Sequence, residues 1–580
     1  MNTIETLKDI RENGGQGRML LLLLPFWDPL VPPLGLASLK SYLQRHGNYA
    51  VSAYDANIEG DFTDIYDRYF GALADFVPEK KRKLLFNMGH EVLKNHTMAF
   101  INRTTEPDEV YFGLISEIVY KTFYTQLSQE QLQHMEEIIK LFIGRIERYV
   151  MNYVEELKPH VFGLSVYSGS LPASLYAFRF VKQHYPHIFT VMGGAVFSNE
   201  LKPGSPNYHR VLNETPYIDK IVEGEGEILL LQLLNGELPD DRKFYTKKDI
   251  KNVSVDLNAV PVPDFSDINM DAYLTVSSST GRSCPFECSF CSETIFWGRY
   301  TKRAPATIIG EIQRLHRQYN KQLIFMCDSI LNPVMDPLTD ALLEIDDPIY
   351  FDGYFRIDKK SQDLKNTIKW RRGGYYRARM GVESGSEAML KMMHKDITVK
   401  QIKQAVINLA TAGIKTTTMF VVGHPGETEE QFQETLKLIE ELQDFIYEAD
   451  CNPFQFYYSG QVDSAAWEAQ FKKESLYNEK YDDLIFSKTW TLDVYPVREI
   501  AYERANRFVE FVEKLGIYNP YKLEDIRKAD ERWAALHKNA VPSMLEIQHG
   551  KIPLSEKRSI AEYKMADTSD LNLNLDEWNF

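Results

Sequence analysis

The chain reads as an α/β protein built of two successive modules. An N-terminal doubly wound, Rossmann-like parallel sheet carries a helical insertion. A partial (β/α)6 barrel follows, and a mainly helical C-terminal region closes the chain. Three observations predict this. The first 55 residues run strand, Pro-rich loop, helix, strand. Six further strand-like segments alternate with helical ones from about residue 272. Three of the five cysteines fall within eight residues, just after the first strand of that second series.

The elements follow in order. Met19–Leu24 is an apolar run of the kind buried on both faces of a parallel sheet. Pro25 and the Asp28-Pro29 and Pro32-Pro33 pairs end it in a loop. Residues 34–46 have helical spacing and stop at Gly47, and Val51–Tyr54 is a second strand ending at Asp55. Residues 58–157 break this rhythm. Ser128 and Gln131 form a capping box, and Leu132, Met135, Ile139, Phe142, Ile146, Tyr149 and Tyr153 make one apolar helix face. Strands resume at Val161–Val166, Phe189–Met192 and Ile218–Val222, with a helix near 171–184. The polar, Pro-punctuated stretch 236–264 suits a linker. The second series has strands at Tyr273–Val276, Leu323–Met326, Tyr350–Ile357, Arg377–Val382, Thr416–Val422 and Asn452–Tyr458. Helical segments between them make a parallel barrel, whose chemistry belongs at the strands' C-terminal ends. The domain reading is 1–235, with insertion 58–157, then a linker 236–271, the barrel 272–460 and a substrate-capping region 461–580. That last region has one clear helix at 497–515 and the aromatics Trp467, Tyr477, Tyr481 and Trp490.

Composition narrows the function. The chain is 580 residues long, 44% hydrophobic and 26% charged, which is the balance of a globular protein. Sixty-six basic against 82 acidic residues leave −16, which speaks against nucleic acid as a partner. The longest apolar run, Met19 to Phe26, contains a proline and falls far short of the ~20 residues a membrane span needs. No basic segment leading into an apolar stretch opens the chain, and five cysteines are no disulfide framework. A cytoplasmic location is therefore expected.

Cys284, Cys288 and Cys291 place three thiols on one tight loop, while Cys327 and Cys451 stand apart. Three cysteines without a fourth would leave one iron of a cubane iron–sulfur cluster open to a substrate. Spacing alone leaves zinc in play, though no histidine or fourth cysteine stands at finger spacing.

The wider text carries a resemblance. The cysteine loop reads RSCPFECSFC with Phe290 before the last cysteine. Gly381-Val-Glu-Ser-Gly-Ser386 ends the fourth strand of the series, and Val422-Gly-His-Pro-Gly-Glu-Thr428 ends the fifth. Over about 180 residues this order is similar to the radical S-adenosylmethionine superfamily. The resemblance implies that Cys284, Cys288 and Cys291 bind a [4Fe–4S] cluster whose open iron chelates S-adenosylmethionine. It implies that Phe290 lies along the adenine and that Glu383 accepts from the methionine ammonium or holds the ribose. Asp328, Asn332 and Arg356, at the ends of the second and third strands, are weaker candidates for cosubstrate or substrate contacts. His424 stands where an apolar residue is usual and reads first as a core histidine, with proton transfer as the alternative.

Upstream, Pro32-Pro-Leu-Gly-Leu36, Gly163-Leu-Ser165, Gly193-Gly194 and Gly224-Glu-Gly-Glu227 resemble the cobalamin-binding class of these enzymes. Small residues at strand ends let a flat corrin lie on the sheet edge. Ser165, Ser168, Gly169, Ser170, Gly193 and Gly194 would line it. The loop after the first strand lacks the Asp-x-His motif of other cobalamin modules, so cobalt would have no histidine ligand.

Together the modules imply a cobalamin-dependent radical enzyme. It would methylate an unactivated carbon of a peptide or natural-product intermediate through a 5′-deoxyadenosyl radical and methylcobalamin. An external donor such as flavodoxin or ferredoxin would supply the electron. A non-methylating rearrangement or cyclisation is the alternative within the class, and a non-catalytic iron–sulfur carrier or sensor is the alternative outside it.

Overall fold

The computed structural model describes residues 15–26, 29–103, 106–251, 253–456, 458, 471–519 and 523–549. Asp28, Trp467 and the Leu/Asn-alternating end from Thr568 to Phe580 lie outside the described residues.

The strands β1 (Gly17–Leu23), β2 (Tyr49–Asp55), β3 (Val161–Ser165), β4 (Phe189–Gly193), β5 (Lys220–Val222) and β6 (Phe244–Tyr245) form one parallel sheet. Their order is β2-β1-β3-β4-β5-β6. Every pairing is parallel. Strand order reverses between β1 and β3, the point at which doubly wound sheets open a crevice for a ligand. β1 is buried along both faces except at Arg18, as a central strand between two helical layers must be. β6 falls inside the stretch expected to be a linker; two residues are too few to leave a strand pattern in sequence.

Residues 58–157 fold as helices Gly60–Phe76, Leu85–Asn102, Asp108–Phe123 and Gln129–Leu157. The last opens with the expected Ser128–Gln131 capping box. Its apolar stripe, Leu132 to Tyr149, is buried, each side chain contributing about 1.5–3 kcal/mol.

The second module starts at β7 (Val276–Ser278). A small hairpin of β8 (Gly281–Arg282) and β9 (Thr301–Lys302) flanks the cysteine loop. β10 (Leu323–Met326), β11 (Tyr350–Phe355), β12 (Tyr375–Glu383), β13 (Lys415–Val422) and β14 (Glu448–Pro453) complete an open six-stranded parallel sheet, β14-β13-β12-β11-β10-β7. Two strands sit away from where the sequence places them. β7 begins at Val276 instead of Tyr273. β14 runs 448–453 instead of 452–458, because the inward positions Glu448 and Asp450 disguise a barrel strand as polar text.

Those inward charges fill the lower barrel. Arg377 donates to Asp352 Oδ2 at 2.9 and 2.7 Å and to Glu448 Oε2 at 3.2 Å. Arg379 bonds Asp352 at 2.9 Å to each oxygen.

The C-terminal region does two jobs where one was expected. The hairpin β15 (Lys472–Ser475) and β16 (Trp490–Asp493) and the helix Arg498–Lys514 lie at the barrel's strand-end side. The segment 526–547 plugs the opposite end. Ile526, Val541, Met544 and Ile547 pack on Leu323, Tyr350 and Tyr376, at the strands' N-terminal ends, and Asp530 pairs with Lys415 at 2.5 Å. Of the aromatics expected at the mouth, Tyr477 and Tyr481 are turned to the helical insertion, with Asn95 donating to the Tyr477 hydroxyl at 3.3 Å.

Candidate active site

The cysteine loop leaves β8 through Ser283, which adopts φ 73°, and closes on itself as the Ser283 hydroxyl donates to the Gly298 carbonyl at 2.6 Å. Cys288 is buried and Cys284 and Cys291 are half-buried. Burial pushes the Cys291 thiol up to about 12, and the other two thiols push the same way. Burial also raises Cys284, against the pull of Arg356 and Lys395. The thiols are therefore close enough to feel one another's charge, and Arg356 and Lys395 stand beside Cys284. Among the described residues, no three His, Cys, Asp or Glu side chains close on a single metal ion.

Arg356, at the end of β11, reaches this loop. Its Nη1 lies 3.2 Å from Cys288 Sγ, its guanidinium stacks 4.0 Å from the Phe286 ring, and its Nη2 donates to the Lys395 carbonyl. Asn332 holds Arg356 in place by bonding both its N–H and its carbonyl, at 2.8 and 2.7 Å. Asp328 has a supporting place too. Its carboxylate accepts the Thr280 N–H and hydroxyl at 2.8 Å, which fixes the neck of the cysteine loop; burial raises it to about 7.

Glu383 ends β12 with φ 68°, a costly conformation for a non-glycine residue and one that clusters at functional sites. The register against β13 shifts at this point. Its carboxylate thereby folds back over Gly381, where a Cβ would lie 2.2 Å from Glu383 Oε1 and 2.7 Å from Lys395 Nζ. Lys395 donates to that Oε1 at 2.6 Å, and its Nζ lies 5.9 Å from the Phe290 ring. The fourth strand end, the cysteine loop and Phe290 thus meet. Lys395 escaped sequence reasoning because it sits on a loop, outside any strand-end motif.

The edge of the N-terminal sheet faces this site. Arg282, two residues before Cys284, donates to Glu225 Oε1 at 2.8 Å and to Glu227, on the turn after β5 and in the first turn of the helix it leads into. The Gly-Glu-Gly-Glu turn is therefore a brace for the cysteine loop. Tyr167, after β3, stacks on Phe26, after β1, at 5.1 Å and 11°. Burial pushes its hydroxyl to about 12, with Cys327 of the barrel and Asp55 of the sheet adding to it. The switch point of one module and the second strand of the other are neighbours there.

Of the residues expected along that edge, the Ser168 hydroxyl donates to Asn199 Oδ1 at 2.9 Å, and the Ser170 hydroxyl accepts the Tyr167 N–H at 3.0 Å. Ser165 and Gly193 end neighbouring strands in register. Gly169 lies against Phe26, and Gly194 holds φ 111° with its α-carbon pressed on the Val166 backbone. Leu30, in the loop after β1, is 40% exposed, so this edge offers a flat ligand an apolar contact. His424 is fully buried, bonded through Nδ1 to the Pro425 carbonyl at 3.0 Å, and held near 4 by burial, as a neutral core histidine is.

Between the two edges, the helical insertion and β16 lies a cavity of about 140 Å³. Ser168, Gly423, Phe454, Phe456, Trp490 and Arg498 are among its walls.

Residues 278–439 match the model of the radical SAM superfamily. The chain's fold is that of the cobalamin-dependent radical S-adenosylmethionine enzymes. The radical S-adenosylmethionine methyltransferase TsrM of Kitasatospora setae, solved with cobalamin and a [4Fe–4S] cluster, superposes with a TM-score of 0.57 at 13% identity, covering 95% of this chain and 100% of that one. The cobalamin-dependent radical enzyme OxsB gives 0.50 at 16% identity, over 87% of this chain and 57% of that one. In sequence, an anaerobic magnesium-protoporphyrin IX monomethyl ester cyclase of Rubrivivax gelatinosus is 28% identical over 318 residues, 50% of this chain and 56% of that protein. The cytidylyl-2-hydroxyethylphosphonate methyltransferase of Streptomyces wedmorensis is 22% identical over 354 residues, 50% of this chain and 64% of that protein. The chain thus spans little more than half the length of the curated relatives it matches. Among the described residues, no helix is long and apolar enough to cross a membrane.

Proposed function

We propose that this protein is a cobalamin-dependent radical S-adenosylmethionine methylase acting on carbon. The observation that carries the reading is the convergence of the two strand-end edges. The cysteine loop is braced by Glu225 and Glu227, and Tyr167 feels the charge of both Asp55 of the sheet and Cys327 of the barrel. A corrin on one edge and a nucleoside on the other would face the same cavity.

Cys284, Cys288 and Cys291 would hold a [4Fe–4S] cluster, and Glu383 and Phe290 would hold the cosubstrate. Ser165, Ser168, Gly169, Ser170, Gly193 and Gly194 would line the corrin. When bound, the cluster supplies an electron for reductive cleavage of S-adenosylmethionine and the corrin supplies a methyl carrier. This chain's residues position and enclose. Arg356 offsets thiolate charge, Glu383 offers a buried anion to an ammonium, and the helical insertion and β16 exclude water. A donor such as flavodoxin or ferredoxin would deliver the electron. The kinship with cyclases supports a second reading, in which the radical drives ring closure and no methyl group moves.

Anaerobic reconstitution with hydroxocobalamin, followed by incubation with reductant and S-adenosylmethionine deuterated in its methyl group, separates the two. The methylase reading expects about one corrin retained per chain and deuterium in the corrin fraction. A retained corrin without label, with 5′-deoxyadenosine still formed, would favour the second reading.

A further inference from the structure

Arg498 opens the helix Arg498–Lys514 and lines the cavity between the modules. Three cations line that cavity: Lys94, Lys488 and Arg498. Lys94 is held between Glu91 and Glu200 at 3.1 and 3.3 Å, and Lys488 is held by Asp482 at 2.5 Å. Arg498 differs. Its Nε donates to the Lys121 carbonyl at 3.3 Å, and its guanidinium lies 4.2 Å from the Tyr502 ring centre. Its two terminal nitrogens bond no described residue, and among the described residues no carboxylate comes within 4 Å. Glu91, the acid on its side of the cavity, is taken by Lys94 and by Asn95 at 3.0 Å. A guanidinium fixed at Nε and against a ring, with its remaining fork unfilled, is arranged to receive a two-oxygen anion. The positive end of the helix it begins adds to the same field.

Aromatic rings stand among the polar and aliphatic residues of the other walls. Phe454 and Phe456 follow β14, and Trp490 starts β16 with an indole N–H that has no partner among the described residues. About 140 Å³ is room for one aromatic ring system of small size.

We infer that the substrate is a small aromatic carboxylate, its ring held by Phe454, Phe456 and Trp490 and its carboxylate by the free fork of Arg498. The inference rests on the reading of this cavity as the substrate site of a radical enzyme. It names Arg498 as the specificity-determining residue.

The test needs no turnover. Binding of benzoate, phenylacetate and indole-3-acetate to the anaerobically reconstituted protein is measured by calorimetry, beside the corresponding neutral amides. At least one carboxylate should bind about tenfold to a hundredfold tighter than its amide, the worth of a charge-assisted hydrogen bond. Arg498→Gln should erase that preference and leave amide binding unchanged, while Arg498→Lys restores part of it. Equal binding of acid and amide, no binding by any of the three acids at millimolar concentration, or a preference that survives in Arg498→Gln would each overturn the inference. The wild-type comparison stands if the variants fail to fold. Because binding is read without reductant, a carboxylate preference in protein that makes no 5′-deoxyadenosine would uphold the anion site while the radical reading fell.

Discussion

Glu383 shows how much a single residue gathers here. A left-handed backbone, a shifted register and an unsubstituted Gly381 together lay one buried carboxylate beside Lys395 and within reach of Phe290 and the cysteine loop. Oε1 is engaged by Lys395, and on the proposed reading Oε2 would accept from the ammonium of the cosubstrate. Glu383→Ala should keep the iron content and weaken S-adenosylmethionine binding by about tenfold to a hundredfold, or ~1.5–3 kcal/mol. Equilibrium binding to the reconstituted protein checks this, and an unchanged dissociation constant would reduce Glu383 to a strand-end residue. The residues at strand ends were legible because motif and strand coincide there. Asp328 and Asn332 were legible as positions only. Their partners, Thr280 and Arg356, come from other strands, and sequence spacing cannot say which way a side chain turns at a barrel rim.

At the scale of elements, the sheet edge behind β3 and β4 explains which glycines a corrin would need. Gly194 has no room for any side chain, since a Cβ would lie 2.4 Å from the Val166 nitrogen and 2.5 Å from its oxygen. A leucine there breaks the β3–β4 edge itself. Gly193 is different, because its added Cβ would meet only the Val222 carbonyl at 3.4 Å, an ordinary contact. Gly193→Val should therefore leave the fold and the cluster intact and block corrin uptake. Absorbance after gel filtration with hydroxocobalamin reads this directly, and retention equal to the wild type would remove Gly193 from the lining. Long elements were legible from periodicity, as with the helix Gln129–Leu157 and its capping box. Short or polar ones were not. β6 is two residues long, and β14 points Glu448 and Asp450 into a charged barrel interior, which reverses the usual apolar signal of a buried strand.

In the whole molecule, the two modules are joined at the chemistry. Arg282 spans from the cysteine loop to Glu225 and Glu227 with only 20% of its side chain exposed. Arg282→Ala should cost about 1–3 kcal/mol, less than the ~3–5 kcal/mol of a wholly buried pair because water still reaches it. It should also loosen the loop that carries Cys284. A lowered thermal midpoint together with faster loss of iron to a chelator is expected, and iron loss at the wild-type rate would deny the brace its role. The C-terminal region divides between the two ends of the barrel, and its plug of Ile526, Val541, Met544 and Ile547 was invisible to a reading that looked only toward the strand ends.

All of this depends on the proposal that Cys284, Cys288 and Cys291 would hold a [4Fe–4S] cluster. The anaerobically reconstituted protein, incubated with dithionite and S-adenosylmethionine, should form 5′-deoxyadenosine in excess of the protein, as read by mass spectrometry. Cys288→Ala should abolish it, and Cys327→Ala should not remove the cluster. No 5′-deoxyadenosine above a cluster-free control, from protein that carries its full complement of iron and sulfide, would contradict the account.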